Sequence, residues 1–445
     1  MTIEELYAFY KQHPVITTDS RDCPADSVFI ALKGESFDGN RFAIHALEQG
    51  CSLAVVDDEH VHEAFRQRCG EPALSGKAMV LVPDALQAFK DLAREHRRQF
   101  SIPVVGITGT NGKTTTKELV RAVLEQKYNV MATEGNFNND VGVPKTLFRL
   151  SAEHEIAVVE MGASHPGDIK TLAQTAEPTC GLITNVGKAH LLGFGSLEGV
   201  VKTKGELYDN LALRPGSVIF VNDDNDLLTA ILPAGVKVER YSRRATNERA
   251  VVQGEVVDCV PFLRLRWRQA GGAWHEVETH LIGSYNLDNA LAAATVGLHF
   301  GVKPEQISQA LAGYVPKNNR SQFVDTGRNH LVVDAYNANP TSMAAALDNF
   351  KLIQAPRKMA ILGQMGELGP GSREEHLRLV DTLRHMDLDQ VWLVGEEFAT
   401  IECPFRKFDN VDEVKAALAA STPEGYTILI KGSNSNRLFL LPELL

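Results

Sequence analysis

The sequence predicts an α/β protein of three domains: a small α/β N-terminal domain, a central domain on a mostly parallel sheet, and a doubly wound C-terminal domain. Three observations carry this. The chain has 445 residues, and at roughly 150 residues per domain that length suggests about three. Nearly continuous apolar runs alternate with segments of helical spacing, as in parallel strands covered on both faces. A glycine-rich turn at 109–115 separates one such run from a helix-spaced segment. With 44% apolar and 23% charged residues, the composition is that of a globular chain, not a disordered one.

The elements follow in order. Residues 1–98 form the first domain. "DSVFIALKG" and "CSLAVVDD" read as buried strands, with a helix between them in "GNRFAIHALEQGC". "ALQAFKDLAREHRRQF" is a helix that leads to a boundary at 101–103. The second domain, 99–315, opens with the strand–turn–helix "PVVGITGTNGKTTTKELVRAVLEQ" and continues through the strands "EIAVVEMG", "CGLITNVG" and "SVIFVNDDN". Residues 240–282 alternate with period two and read as antiparallel strands at the sheet edge. "NLDNALAAATVGLHFG" is a helix ending at Gly301. In the third domain, 316–445, the strands "HLVVDAY", "KMAILGQM", "QVWLVG" and "YTILIKGS" alternate with helices such as "TSMAAALDNF" and "REEHLRLVDTLRHM". The central domain is thus P-loop ATPase-like and the last one Rossmann-like.

Charge excludes some functions. Lys and Arg total 45 against 56 acidic residues, a net −11, so a nucleic-acid-wrapping surface is not expected. No apolar run approaches the ~18 residues of a membrane span, and the N-terminus lacks the apolar core of a signal peptide. Six scattered cysteines without a CxxC argue against a zinc site or a disulfide scaffold. They fit a cytoplasmic location.

The chemistry concentrates in "GTNGKTT": Gly109, Thr110, Asn111, Gly112, Lys113, Thr114 and Thr115. Backbone amides of such a loop cradle phosphates, and the following helix N-terminus favours their charge. Lys113 would reach the β- and γ-phosphates and the Thr114 hydroxyl would hold Mg²⁺. Ile107 stands where the general pattern has its first glycine. Glu160 ends the run "IAVVE" and His190 closes "TNVGKAH". Each has a plain reading, a strand-end cap and a structural histidine. Together, at the ends of neighbouring strands, they point to metal binding beside the loop. Lys204, in "VVKTKGELY", reads by itself as a solvated helix lysine. "EGNFNNDVGVP" offers amides to a polar ligand or is simply a turn. Arg320, in "NNRSQ", could pair with phosphate, and Asp334, ending a strand in "VVDAYNANP", could accept ribose hydroxyls. A surface salt bridge and a strand-end cap are the plain readings of these two. No NKxD guanine motif occurs, which speaks against a GTPase switch.

Taken together, these residues resemble the Mur ligase family of peptidoglycan synthesis. The resemblance runs through the phosphate loop, Glu160, Asn185 with His190, Lys204, Asn286 with Asn289, Arg320 and Asp334, in order over nearly the whole chain. "TTDSRDCPADSVFIALKGESFDG", "GNFNNDVGVP", "DAYNANP" and "LGQMGELG" place it nearest the family's D-alanyl-D-alanine-adding branch. "NNRSQF" departs from the Gly-Arg-Leu more usual around the arginine. The resemblance implies an ATP-dependent amide ligase with two Mg²⁺ sites, joining D-alanyl-D-alanine to UDP-N-acetylmuramoyl-tripeptide through an acyl phosphate. It implies that Asp19, Ser20, Arg21, Asp38 and Gly39 face the uridine diphosphate end. Asn136 and Asn139 would line the path to the γ-phosphate, and Asn337 and Asn339 would lie near the dipeptide. Asn289, Arg320 and Asp334 would serve ATP. Thr114, Glu160, His190 and a carbamylated Lys204 would hold metal, and Lys113, Glu160, His190 and Lys204 would carry catalysis. A monomer is expected. The alternatives are the diaminopimelate- or lysine-adding branch, whose Y-A-H-x-P-D and D-N-P-R motifs are absent here, and folylpolyglutamate synthase.

Overall fold

The computed structural model describes residues 1–34, 36–317 and 320–445. Glu35 of "KGESFDG" and Asn318 and Asn319 of "NNRSQ" lie outside the described residues. The α/β class is borne out, and the chain divides into two compact units.

The first unit comprises Met1–Ile102 with Thr133–His154 and Gln174–Glu177. Its sheet has four parallel strands in the order Ile16–Thr17, Val28–Ile30, Leu53–Val56 and Ala78–Leu81. The middle strands are fully buried, which is why they read as unbroken apolar runs. The helix Ile3–Gln12 starts at a reciprocal Thr2–Glu5 capping box, and Ala85–Arg98 starts where Asp84 accepts from the Gln87 amide. Leu6, Tyr10, Ile30, Phe89 and Leu92 form one core, against which Val141 and Phe148 pack. The expected polar turn after residue 132 therefore folds with this unit. His96 ties it there: its Nδ1 meets the Tyr7 hydroxyl at 3.1 Å and its Nε2 the Leu150 carbonyl at 3.1 Å.

The second unit holds two sheets. One has nine strands in the order His275–Glu278, Leu263–Gln269, Val252–Cys259, Lys237–Ser242, Val218–Asn222, Cys180–Ile183, Val104–Thr108, Ile156–Glu160 and Val130–Ala132. Its last six strands run parallel, and the period-two stretch supplies the antiparallel edge. The Val252 strand itself joins Lys237–Ser242 in parallel. The helix Asn286–His299 is buried on nearly every turn, which matches the apolar stretch from Ala290 to Leu298, broken only by Thr295.

The other sheet has six strands, in the order Gln322–Asp325, His330–Asp334, Thr427–Lys431, Lys358–Gly363, Gln390–Val394 and Arg406–Phe408. It is parallel apart from the Gln322–Asp325 edge. Helices Pro340–Leu352 and Ser372–Arg384 contribute to the core on one face, and Val411–Ala420 to the core on the other.

Candidate active site

The strand Val104–Thr108 lies between Ile156–Glu160 and Cys180–Ile183, in register Ile107 to Glu160 and Thr108 to Ile183. That register brings Glu160 and residues 184–190 to the two flanks of the loop 109–112. The loop is closed by hydrogen bonds from the neighbouring strand end. The Thr110 amide donates to the Asn185 carbonyl at 2.9 Å, and the Asn111 amide to the Asn185 side chain at 3.0 Å. The Thr184 hydroxyl donates to the Asn111 carbonyl at 2.6 Å. Gly109 and Gly112 have φ of 144° and 78°. Gly112 begins the helix Lys113–Leu124, and a Cβ there would lie 2.8 Å from the Asn289 amide oxygen. Only glycine serves at either position.

Lys113 folds back over the loop and donates to the carbonyls of Gly109 and Thr110 at 2.9 and 3.0 Å. Burial lowers its pKa, Glu160 opposes the shift, and the Arg320 cation adds to it. The Thr114 hydroxyl donates to the Glu160 carboxylate at 2.9 Å, and both residues are buried. Two hard oxygens side by side at the head of this glycine loop form a donor pair that suits Mg²⁺. Asn289 does not stand free. It accepts from the Thr116 hydroxyl and donates to Asn286, so it braces the loop helix.

Lys204, on the helix Leu197–Ala212, is only 2% exposed. Its Nζ lies 3.4 Å from the Ala163 carbonyl and 5.4 Å from the Phe194 ring centroid. Burial first, then Lys113, lower its pKa to about 7. The plain reading of a solvated lysine fails here. As an ammonium it has no oxygen for a metal; as a carbamate it would. His190 precedes the short helix Leu191–Phe194, and its Nδ1 is in ion-pair contact with Glu367. Among the described residues no group of three His, Cys, Asp or Glu side chains converges as a ready metal site. A second metal would therefore depend on the carbamate.

In the C-terminal domain the guanidinium of Arg320 stacks 3.6 Å from the Tyr336 ring centroid. Asp334 pairs at 2.5 Å with Lys431, whose ammonium also donates to the Asn337 carbonyl. The Asn337 side chain accepts from the Ala338 amide. Asn339 caps Pro340–Leu352 and donates at 2.8 Å to Asn111 of the phosphate loop. Its side chain is thus committed to the loop in this arrangement.

The first unit places its candidates locally. Arg21 forms a two-bond pair with Asp19, which stays well below the usual carboxylate range because of that pair. Ser20 lies between them. Asp38 caps the turn Gly39–Phe42, and a Cβ on Gly39 would lie 2.6 Å from the Leu32 carbonyl. Asn139 accepts from the Gly142 amide at 2.8 Å, and the Asn136 carbonyl accepts from Asn138. A cleft of about 420 Å³ is lined by Thr17, Thr18, Asp19, Lys145, Phe148 and Arg149, among others.

Family models match three stretches: "Mur ligase family, catalytic domain" at 14–97, "Mur ligase middle domain" at 107–297 and "Mur ligase, glutamate ligase domain" at 319–434. A Synechocystis protein named UDP-N-acetylmuramoyl-tripeptide–D-alanyl-D-alanine ligase is 35% identical, over 94% of this chain and 89% of its own. The chain belongs to the Mur ligase family. Two Mur ligase structures share its fold. MurF from Acinetobacter baumannii superposes with a TM-score of 0.84 at 29% identity, covering 96% of this chain and 92% of its own. A MurF ligase from Thermotoga maritima in complex with ADP gives 0.82 at 27%, covering 97% and 96%. As a Mur ligase, the chain is an enzyme that forms an amide bond. Three pairings around its site carry no local sequence signal: Asn111 with Asn339, Asp334 with Lys431, and His190 with Glu367. Each joins segments about a hundred or more positions apart.

Proposed function

We propose that this Mur ligase joins D-alanyl-D-alanine to UDP-N-acetylmuramoyl-tripeptide, with ATP cleaved to ADP and phosphate. The observation that carries the proposal is near-full-length similarity to ligases named for that reaction, supported by a glycine loop set between a buried strand and a helix N-terminus. In the first step the tripeptide carboxylate attacks the γ-phosphorus in line and ADP leaves, giving an acyl phosphate. The dipeptide amine then attacks the acyl carbon, loses a proton, and phosphate departs.

This chain's residues do the positioning. The amides of Gly112 and Lys113 at the helix start and the Lys113 ammonium would face the phosphates, and Lys113 would leave its loop carbonyls to follow the transferring charge. One such preorganised donor is typically worth ~2.7–4 kcal/mol. Thr114 and Glu160 would hold Mg²⁺, which when bound screens the repulsion between carboxylate and phosphate. His190 and a carbamylated Lys204 would hold a second ion. Arg320 would meet phosphate, and Asn289 and Asp334 the nucleoside. Asp19, Ser20, Arg21, Asp38 and Gly39 would face the uridine diphosphate end, Asn136 and Asn139 the path onward, and Asn337, with Asn339 once it is released from Asn111, the dipeptide.

Domains at 1–98, 99–315 and 316–445, a monomeric state and a cytoplasmic location complete the proposal. No helix among the described residues is long and apolar enough to cross a membrane. A coupled assay of ADP release with UDP-N-acetylmuramoyl-tripeptide tests it. Turnover is expected with D-alanyl-D-alanine and not with diaminopimelate, lysine or glutamate. Turnover with one of those amino acids and none with the dipeptide would refute it.

A further inference from the structure

One residue outside the phosphate loop reaches a proposed metal ligand from another domain. Glu367 lies in the segment between the strand Lys358–Gly363 and the helix Ser372–Arg384. Its carboxylate is in ion-pair contact with Nδ1 of His190, an atom shielded from solvent although the imidazole as a whole stays 27% exposed. The approach is held from several sides. The Leu192 amide donates to the Glu367 carbonyl at 3.3 Å. Lys188 pairs with Glu375 at 3.2 Å. Gly369 packs against Leu192. His190 and Glu367 both sit in the left-handed region, with φ of 50° and 60°. Side-chain-bearing residues adopt that conformation rarely, and such outliers cluster where function demands a particular geometry.

An imidazole that gives its Nδ1 proton to a carboxylate keeps its Nε2 lone pair for a ligand. Carboxylates in this relation fix the tautomer and ring orientation of metal-binding histidines and raise their basicity. We propose that Glu367 is a positioning residue. It holds His190 in the Nδ1–H tautomer with Nε2 available to the metal, and it does so only while the C-terminal domain is docked on the central one. The inference rests on the reading of His190 as a metal ligand given above.

The test uses the full chain, ¹⁵N-labelled at histidine, in bicarbonate-containing buffer with ADP. Long-range ¹H–¹⁵N spectra report the tautomer of His190, which is assigned as the signal missing from His190→Asn among 14 histidines. The Nδ1–H form is expected in the parent protein and its loss in Glu367→Gln. Mn²⁺ titrations followed by electron paramagnetic resonance give a second readout. Glu367→Gln should weaken Mn²⁺ binding about tenfold to a hundredfold while the thermal midpoint stays put. In the His190→Asn background the same change should have no further effect.

An Nε2–H tautomer in the parent protein would overturn the proposal. So would Mn²⁺ affinity unchanged by Glu367→Gln, or an equal loss with His190 already removed. Neither readout uses the ligation reaction. Absence of ligase turnover would therefore sink the proposed substrates while leaving this result standing.

Discussion

Replacing Gly109 by alanine probes the phosphate loop at its tightest point. A Cβ there would lie 2.0 Å from the Thr184 hydroxyl oxygen and 3.0 Å from the Thr184 amide nitrogen. The hydroxyl cannot swing away freely, because it closes the loop through its 2.6 Å bond to the Asn111 carbonyl. The amide cannot shift either, because it donates to the Thr108 carbonyl at 2.9 Å in the sheet. The backbone adds to the problem, since φ of 144° is a conformation alanine scarcely reaches. A residue forced into such a region costs ~1–3 kcal/mol. Losing the hydroxyl bond costs a further ~0.5–1.5 kcal/mol. Gly109→Ala should therefore lower unfolding stability by about 3 kcal/mol, taking mid-range values of both terms. It should also weaken ADP binding, because the loop amides move. Gly135→Ala is the control: its φ is 53° but nothing lies within 4 Å of the new Cβ. It should show the backbone cost alone and leave ADP binding intact. Urea denaturation and calorimetric ADP titration of both variants decide the matter. Equal losses in the two, with ADP affinity unchanged in Gly109→Ala, would refute the reasoning.

Other expectations follow from the same geometry. Lys113→Ala should keep its thermal midpoint and lose about 10²-fold or more in kcat, read in steady-state kinetics. Lys204→Ala should be inactive, Lys204→Arg should not restore it, and added short carboxylic acids should recover part of the rate; full activity in Lys204→Arg would exclude the carbamate. His96 is buried, and its pKa is lowered by that burial. Above the ordinary histidine value of 6.5 both folded and unfolded forms are neutral there. As pH falls below it, the unfolded chain takes up a proton that the folded chain refuses, so stability declines. The gap between urea midpoints at pH 7.5 and 5.5 should narrow in His96→Gln and narrow further when His376, whose pKa burial lowers in the same direction, is also replaced; an unchanged gap in both would refute this.

Much of the fold was legible because buried parallel strands are short and mostly apolar, as the central strands of all three sheets are. The strand–loop–helix at 104–124 was legible for the further reason that its glycines and Lys113 are contiguous. Lys204 was not. Part of its environment, the Ala163 carbonyl, comes from 41 positions away, and helical spacing alone cannot tell a buried lysine from a solvated one. The Asn-rich turn shows a different gap. Asn136 and Asn139 follow a strand of the central sheet, yet their segment packs on the N-terminal core through Val141 and Phe148. Loop-to-loop pairs such as Asn111–Asn339 have no period at all, so only the folded chain shows them.

The central claim is that a carboxylate is activated by phosphorylation before the dipeptide amine attacks. The most direct test follows ¹⁸O from the terminal carboxylate of labelled UDP-N-acetylmuramoyl-tripeptide, with D-alanyl-D-alanine and ATP, by mass spectrometry of both products. The account predicts a pentapeptide lacking one of the two labels and inorganic phosphate carrying it, one for one. Unlabelled phosphate, or release of AMP in place of ADP, would contradict it.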